Sequence, residues 1–220
     1  MMPNSIVLGF KSTLSDSAKV IFNGSGSLVV SDYVFIGDNV RIVVGNVDVF
    51  IDSWSTIHPN CTLIGGNQLS IGMHCWIGQN TVLDGTGGLT LENGVRIGLY
   101  SQVWTHVAAG ELIEGCRLFL KRPTHISTDV WLVGSCFVGS GVTIGEKAIC
   151  FAGSQILKDI PARTTLKSGQ LEPDNICLYR PKTISQKFEL MKGWCKKYAE
   201  FNSANLESHD AYLLIDLNGE

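Results

Sequence analysis

The chain lacks several features that would place it in common protein classes. It has no charged-then-apolar leader and no apolar run long enough to span a bilayer, so we expect a cytoplasmic protein with no stable membrane insertion. The formal net charge is only −3, which argues against nucleic acid as a general partner. Neither a CxxC pair nor a His/Cys cluster with zinc spacing is present, and we therefore expect no metal.

What the chain does have is an aliphatic residue at every sixth position through its middle. The longest run is Ile126, Leu132, Val138, Ile144, Cys150 and Ile156. A spacing of six matches neither the 3.6-residue period of a helix nor the two-residue period of a strand. It is typical of a hexapeptide solenoid, in which three short strands and three corners make one coil of about eighteen residues. We predict an all-β parallel solenoid of about six coils between residues 30 and 160.

Glycine-rich slips mark two places where a coil is longer. The step from Leu63 to Ile71 is eight residues, and so is the step from Leu83 to Leu91. Two inserted residues turn the eighteen-residue coil into a local repeat of twenty, which should align Ile51 with Ile71 and Leu91.

The seven cysteines do not predict a disulfide framework. Cys61, Cys75, Cys136 and Cys150 all fall on inward phases of the hexads, where a free thiol packs as a small hydrophobe. This pattern favours a reducing compartment.

The two ends of the chain differ from its middle. Residues 1–29 are rich in Ser, Gly and Asn and predict an irregular first coil that serves as an N-terminal cap, followed by the solenoid over 30–165. Residues 166–220 form a C-terminal extension. Within it Phe188, Met191, Cys195 and Tyr198 recur at helical spacing, which predicts an amphipathic helix at about 184–203.

The longest break in the hexads lies between Val103 and Ile126. These 23 residues exceed one coil and predict an excursion loop at 107–123, and insertions of this kind often carry the function of a solenoid. His106 stands where the loop begins. A neutral imidazole at such a position can remove a proton from an attacking hydroxyl group.

Two segments around this break resemble a known family. WTHVAAGE at 104–111 and HISTDVWLVGSCFVGSGVTIGEKAICFAGSQILKDIPART at 125–164 are similar to the hexapeptide-repeat acyltransferases, in particular the galactoside, maltose and polysaccharide O-acetyltransferases. The resemblance implies a left-handed parallel β-helix that uses acetyl-CoA as co-substrate. It also implies a homotrimer with active sites between subunits, and transfer of acetyl to a hydroxyl of a sugar or polysaccharide in capsule or lipopolysaccharide biosynthesis.

The resemblance also implies roles for individual residues. His106 would be the catalytic base, while Asn80 and Glu111 would contact the acceptor. The residues expected on the coenzyme A side are Trp131, Gly134, Ala152, Gly153 and Lys158. The chain departs from the family's usual pattern after the KDIP turn, where Lys167-Ser168-Gly169 stands in place of Ala-Gly-Asn-Pro, and at Val107, where relatives often have Pro.

Three other functions are compatible with parts of this pattern. N-acetylation of a nucleotide-linked amino sugar would use the same base, and the sequence does not separate an amine from a hydroxyl acceptor. A zinc-dependent hydratase would need three converging histidines, and the spacing of His58, His74, His106 and His125 does not match. His58 and His125 fall on outward phases and are expected at the surface. A non-catalytic β-helix scaffold is the third alternative.

Overall fold

The computed structural model describes residues 4–108, 119–167, 170–173, 182–201, 204–209 and 212–216. The chain forms two units, Met1–Asn175 and Ile176–Glu220. The first unit is the solenoid, and the second contains the C-terminal helix.

The solenoid consists of three sheets, called here faces A, B and C, whose neighbouring strands are parallel apart from the last pair of face B. Face A contains β1 (Ile6–Leu8), β4 (Leu28–Val30), β7 (Val49–Ile51), β10 (Leu69–Ile71), β13 (Leu89–Leu91), β18 (Thr124–Ile126) and β21 (Thr143–Ile144). Face B contains β2 (Thr13–Leu14), β5 (Phe35–Ile36), β8 (Thr56–Ile57), β11 (Trp76–Ile77), β14 (Arg96–Ile97), β19 (Trp131–Leu132), β22 (Ile149–Cys150), β24 (Thr164–Lys167) and β25 (Gln170–Pro173). Face C contains β3 (Lys19–Phe22), β6 (Arg41–Val44), β9 (Thr62–Ile64), β12 (Val82–Asp84), β15 (Gln102–Val103), β20 (Phe137–Val138) and β23 (Gln155–Ile156).

The register of the coils agrees with the hexad pattern. Ile71 pairs with Ile51 on one side and with Leu91 on the other, which confirms the predicted repeat of twenty residues. The inserted glycines sit in the turns between faces C and A, so the strands themselves keep their length. An all-β parallel solenoid is therefore confirmed.

The interior of the solenoid is a column of aliphatic side chains. The inward residues of all three faces are 0–2% exposed in the central coils, including Ile57, Leu83, Ile97 and Val138. Burying one such side chain contributes about 1.5–3 kcal/mol. The four cysteines on inward phases are also buried free thiols, as predicted.

The number of coils is larger than predicted. Among the described residues, the strands build seven coils rather than six, because residues 6–22 already form a complete coil with strands β1, β2 and β3. Ile6 pairs with Leu28 and Lys19 pairs with Arg41. The hexads are weak there because a terminal coil has a neighbour on one side only, so its side chains stay partly exposed and polar residues are tolerated.

Close backbone packing at the corners explains one glycine in particular. A Cβ atom on Gly98 would overlap with the carbonyl oxygen of Val133 and lie 2.5 Å from its carbonyl carbon. Gly98 N donates a hydrogen bond to Leu132 O at 2.7 Å, so the two coils cannot separate without losing this bond. Glycine at this corner therefore allows adjacent coils to approach closely.

The second unit contains one helix and one hairpin among its described residues. α1 spans Ile184–Phe201, close to the predicted 184–203, and β26 (Asn205–Ser208) pairs antiparallel with β27 (Leu213–Asp216). Thr183 caps the helix, since Gln186 N donates to Thr183 Oγ1 and Thr183 N donates to Gln186 Oε1. Within the described residues, α1 is not apolar enough to cross a membrane, and no other helix there could do so.

Candidate active site

The chain leaves the solenoid at His106. β15 is the last strand of the fifth coil, and β16 (His106–Ala108) then pairs antiparallel with β17 (Phe119–Lys121) to form a ribbon. The chain returns to face A at Thr124, which pairs with Leu89. The two ends of the predicted excursion loop thus pair with each other as this ribbon, and His106 lies at the base of the ribbon.

A buried carboxylate holds His106. The side chain of Asp84, at the end of β12 in the coil below, is 0% exposed, and its Oδ2 accepts a hydrogen bond from His106 Nδ1 at 2.8 Å. Thr105 donates to the same oxygen through its N–H at 2.9 Å and its hydroxyl at 2.8 Å. Thr86 donates to the other oxygen through its hydroxyl at 2.5 Å and its N–H at 3.2 Å.

These hydrogen bonds determine the charge on Asp84. Burial alone would raise the pKa of its carboxyl group, but the hydrogen bonds from Thr86, His106 and Thr105 outweigh burial and lower the pKa below its ordinary value. An ionised carboxylate can only accept hydrogen bonds, so the bond to His106 requires a proton on Nδ1. When the imidazole is neutral, its proton-accepting lone pair is then on Nε2.

A cleft of about 530 Å³ lies beside the imidazole. This volume is within the range of about 300–1,000 Å³ that is usual for small-molecule sites. Apart from His106, the described residues of its walls carry no titratable side chain: Trp104, Val107, Leu120, Phe137, Gly139, Ser140 and Leu157. Trp104 also contacts the His106 ring edge-on, with the ring centroids 5.8 Å apart. The arrangement is a partly exposed base in the wall of an apolar cleft.

The structure places Lys158 on the same edge of the solenoid as His106. Both residues follow a face C strand, His106 after β15 and Lys158 after β23. Lys158 lines a smaller hollow of about 220 Å³, and Leu157 lines both this hollow and the cleft. The two cavities therefore adjoin each other along this edge.

The other predicted site residues lie elsewhere on the chain. Trp131 is 39% exposed on face B, between Arg96 and Ile149 of the adjacent strands. Asn80 occupies the corner between faces B and C. The same corner of later coils carries Gly134, Ala152 and Gly153. Within one chain, none of these residues lines the cleft beside His106.

The backbone conformation explains why position 80 is asparagine whether or not it contacts the acceptor. Asn80 adopts a positive φ of 57°, as Asn39 and Asn60 do at the same corner of earlier coils. Asparagine tolerates this left-handed conformation better than most residues. Glu111 lies outside the described residues. Among the described residues, no group of three or more His, Cys, Asp or Glu side chains could hold a metal ion.

Asp84 was not among the site residues predicted from the sequence. The spacing alone was a weak signal, because Asp84 precedes His106 by 22 residues whereas the local repeat is about twenty. Charged residues also follow the inward Ile51 and Leu91, namely Asp52 and Glu92, so the charge at position 84 did not distinguish it.

Of the two histidines expected at the surface, His58 is more enclosed than predicted, while the side chain of His125 is 40% exposed. His58 is half-buried against the ring of Trp76, with centroids 4.6 Å apart, and burial lowers its pKa. His125 Nε2 lies 2.8 Å from Glu92 Oε1. Outward side chains on adjacent coils are only one strand apart, so they cover each other.

Known proteins share parts of this sequence. No family model matches the chain. Galactoside O-acetyltransferase of Escherichia coli is 25% identical over 143 residues, which are 61% of this chain and 60% of that protein. Nodulation protein L of Rhizobium meliloti is 35% identical over 98 residues, 44% of this chain and 53% of that protein. The resemblance is to hexapeptide-repeat acetyltransferases, as the sequence predicted. The chain thus spans between half and two thirds of the length of these curated relatives.

Solved structures show the same fold. The polysialic-acid-specific acetyltransferase NeuO covers 90% of this chain, with a TM-score of 0.54 and 19% identity, and 94% of NeuO is covered. A point mutant of AntD, an N-acyltransferase from Bacillus cereus in complex with dTDP and coenzyme A, covers 88% of this chain, with a TM-score of 0.52 and 16% identity, and 91% of it is covered. At these identities the likeness concerns the fold alone.

Proposed function

We propose that the protein transfers an acetyl group from acetyl-CoA to a hydroxyl group of a sugar, with His106 as general base, in the synthesis of a bacterial surface polysaccharide. The observation that carries this proposal is the pairing of His106, in the wall of an apolar cleft, with the buried Asp84. The family resemblance supports the reaction class, since the curated relatives include a galactoside O-acetyltransferase.

The geometry supports a direct transfer. His106 Nε2 accepts the proton of the acceptor hydroxyl as its oxygen forms a bond to the thioester carbonyl carbon. The carbon–sulfur bond then breaks, and the imidazolium returns the proton to the departing thiolate, giving an ester and free coenzyme A. Asp84 keeps the proton on Nδ1 throughout and stabilises the positive charge that His106 carries between the two transfers.

The residues along the cleft fit the donor. A pantetheine arm needs a long, largely apolar groove beside the base, and Phe137 and Leu157 line such a groove with 40% and 63% of their surfaces exposed. Lys158, in the adjoining hollow, would face the phosphates of the nucleotide. Acetyl-CoA is therefore the proposed co-substrate.

We also propose a homotrimer. Trp131, Gly134, Ala152 and Gly153 lie on face B and at its corner with face C, whereas His106 lies at the opposite edge of face C. A cyclic assembly brings one face of a chain against a different face of its neighbour. In such an assembly, the donor-side residues of one subunit would meet the base of the next, and Asn80 and Glu111 remain candidates for acceptor contact.

Replacing His106 by alanine tests the proposal. Labelled acetyl-CoA is incubated with a panel of glycans, and the products are identified by mass. We expect the His106→Ala variant to lose about 10²–10⁴-fold in kcat, the usual contribution of a general base. His74→Ala is the matched control, because His74 is an exposed histidine at a corner between faces A and B and should leave kcat unchanged.

Two results would count against this function. Near-normal turnover by the His106→Ala variant would remove the base from the mechanism. A product whose acetyl group resists mild alkali would be an amide rather than an ester, and would assign the enzyme to N-acetylation of an amino sugar.

A further inference from the structure

Two cationic residues, Lys121 and Arg122, stand beside the proposed base and have no partner in the described part of the chain. Lys121 is directly opposite His106 in the ribbon. Residues opposite each other in an antiparallel pair place their side chains on the same face, with Cβ atoms about 4.5–5.5 Å apart. Both cations are exposed, and neither forms an ion pair with a described residue.

The backbone of Arg122 is held in place by the coils around it. Its N–H donates to Thr105 O at 3.0 Å, and Ser140 Oγ donates to the same Thr105 oxygen at 2.9 Å. Gly87 of the coil below packs so closely that a Cβ atom there would lie 2.8 Å from Arg122 N. The arginine is thus fixed next to the residue that precedes His106.

The side chain of Arg122 follows a defined course as well. Its stem lies over Gly141, where a Cβ atom would be 3.0 Å from both Cβ and Cδ of the arginine. The stem therefore packs at the rim of the cleft, one residue from Ser140, which lines it. A packed stem reduces the entropy lost when the guanidinium binds a ligand.

Neither Lys121 nor Arg122 lines the cleft proposed for the donor, although the Arg122 stem packs at its rim. The cleft extends from His106 across face C to Phe137 and Leu157. Lys121 ends β17 and Arg122 follows it, where the chain returns to face A. A molecule bound by these cations can therefore reach His106 without occupying the cleft proposed for the donor.

We infer that the acceptor is an anionic sugar, whose negative group is bound by Arg122 and Lys121 while its hydroxyl meets His106. A guanidinium binds a carboxylate or phosphate through two parallel hydrogen bonds, and this geometry fixes orientation as well as charge. The negative group is either a sugar carboxylate or the phosphate of a nucleotide-linked sugar. This inference rests on the proposed acetyl transfer and narrows its acceptor.

The test compares three classes of acceptor with the full-length protein and labelled acetyl-CoA. The probes are oligomers of a carboxylated sugar such as galacturonic acid, the neutral galactose oligomers of equal length, and UDP-N-acetylglucosamine. We expect at least one anionic class to give a kcat/KM about tenfold or more above the neutral oligomers, the ratio that one charge-assisted contact supplies. The comparison between the two anionic classes shows whether the bound group is a sugar carboxylate or the phosphate of a nucleotide-linked sugar.

Variants then assign the effect to the cations. Arg122→Gln should raise KM for the anionic acceptor about tenfold without changing KM for acetyl-CoA, and Lys121→Gln should do so to a smaller extent. Arg122→Lys should recover part of the loss. Arg41→Gln is the matched control, because Arg41 is an exposed arginine on face C of the second coil, three coils below the ribbon.

The outcomes are distinguishable. Equal or better use of neutral oligomers, or a rise in KM for acetyl-CoA in the Arg122→Gln variant, would overturn the anionic acceptor and leave the transfer reaction standing. A change of oligomeric state in that variant would reassign the arginine to a subunit contact. Binding of acetyl-CoA without transfer to any of the three classes would contradict this inference and the proposed function together.

Discussion

Replacing Asp84 by asparagine tests whether the buried carboxylate sets the proton position on His106. The substitution keeps the shape of the side chain but removes its charge and turns one acceptor oxygen into a donor NH₂ group. If the NH₂ group replaced Oδ2, it would face the two Thr105 donors and the imidazole. The opposite orientation conflicts only with the two Thr86 donors, so we expect the asparagine oxygen to stay toward His106.

The size of the effect follows from the geometry. Asp84 Oδ2 lies 2.8 Å from Nδ1, and the charge it stabilises appears on the imidazole during proton transfer. A pair of unit charges about 4 Å apart interacts by about 1 kcal/mol in water and about 4 kcal/mol at the effective dielectric constant of a protein surface. Loss of that interaction should lower kcat about 10- to 10³-fold. The Thr86 N–H left without an acceptor should also lower the free energy of unfolding by about 1–3 kcal/mol.

Two measurements separate catalysis from stability. Release of coenzyme A gives kcat and KM with the preferred acceptor, and urea titration gives the free energy of unfolding. Thr86→Val is the matched control, because it removes a donor to the carboxylate on the oxygen remote from His106. It should lower stability while keeping kcat within about threefold of the wild type, a change of under about 1 kcal/mol.

A third measurement does not depend on activity. Nitrogen NMR of the labelled imidazole reports which ring nitrogen carries the proton, and we expect Nδ1–H in the wild-type protein. A folded Asp84→Asn variant with unchanged kcat, or a wild-type imidazole protonated on Nε2 alone, would refute the assigned role of the carboxylate.

Two further predictions concern stability. Gly98→Ala should lower the free energy of unfolding of the solenoid by about 3 kcal/mol in urea titrations, because its Cβ would press on the Val133 carbonyl group. Gly193→Ala, in the open interior of α1 in the second unit, should stabilise that helix by about 0.5–1 kcal/mol, and a loss of stability there would contradict the packing argument. Burial raises the pKa of the Cys61 thiol from 9.0 to about 11, so the folded protein holds a proton that the unfolded chain releases, and stability should fall as the pH rises through that interval. Cys61→Ala should reduce the slope of stability against pH, and an unchanged slope would show that the thiol does not contribute.

Much of this fold could be predicted from the sequence because a solenoid is a local structure. Each inward residue packs against the residue at the same position one coil away, so the six-residue period identifies the core residues directly. The glycine-rich slips show which coils are longer. The first coil could be predicted only as an irregular cap, because a terminal coil has a neighbour on one side only and its hexads are weak. The ribbon could not be predicted from the sequence, because its antiparallel pairing depends on where the two strands leave the solenoid. No sequence period marks that pairing.

The candidate site divides in the same way. His106 could be predicted because it stands at the break in the repeat. The role of Asp84 could not be predicted, because its contact with His106 joins two coils that differ in length. A fixed period in the sequence does not show such a contact. The sequence does not single out Lys121 and Arg122. Their relevance follows from the structure, in which the ribbon places them beside the imidazole.

The stacking of the coils also determines how the molecule can be damaged. Each coil touches only its two neighbours, so unfolding can begin at an end and proceed one coil at a time. The Asp84–His106 pair joins the fourth and fifth coils, which keeps two or three coils between it and the first. Removal of the outermost strands by a protease would therefore uncover Leu28 and Val30 long before it reached the chemistry.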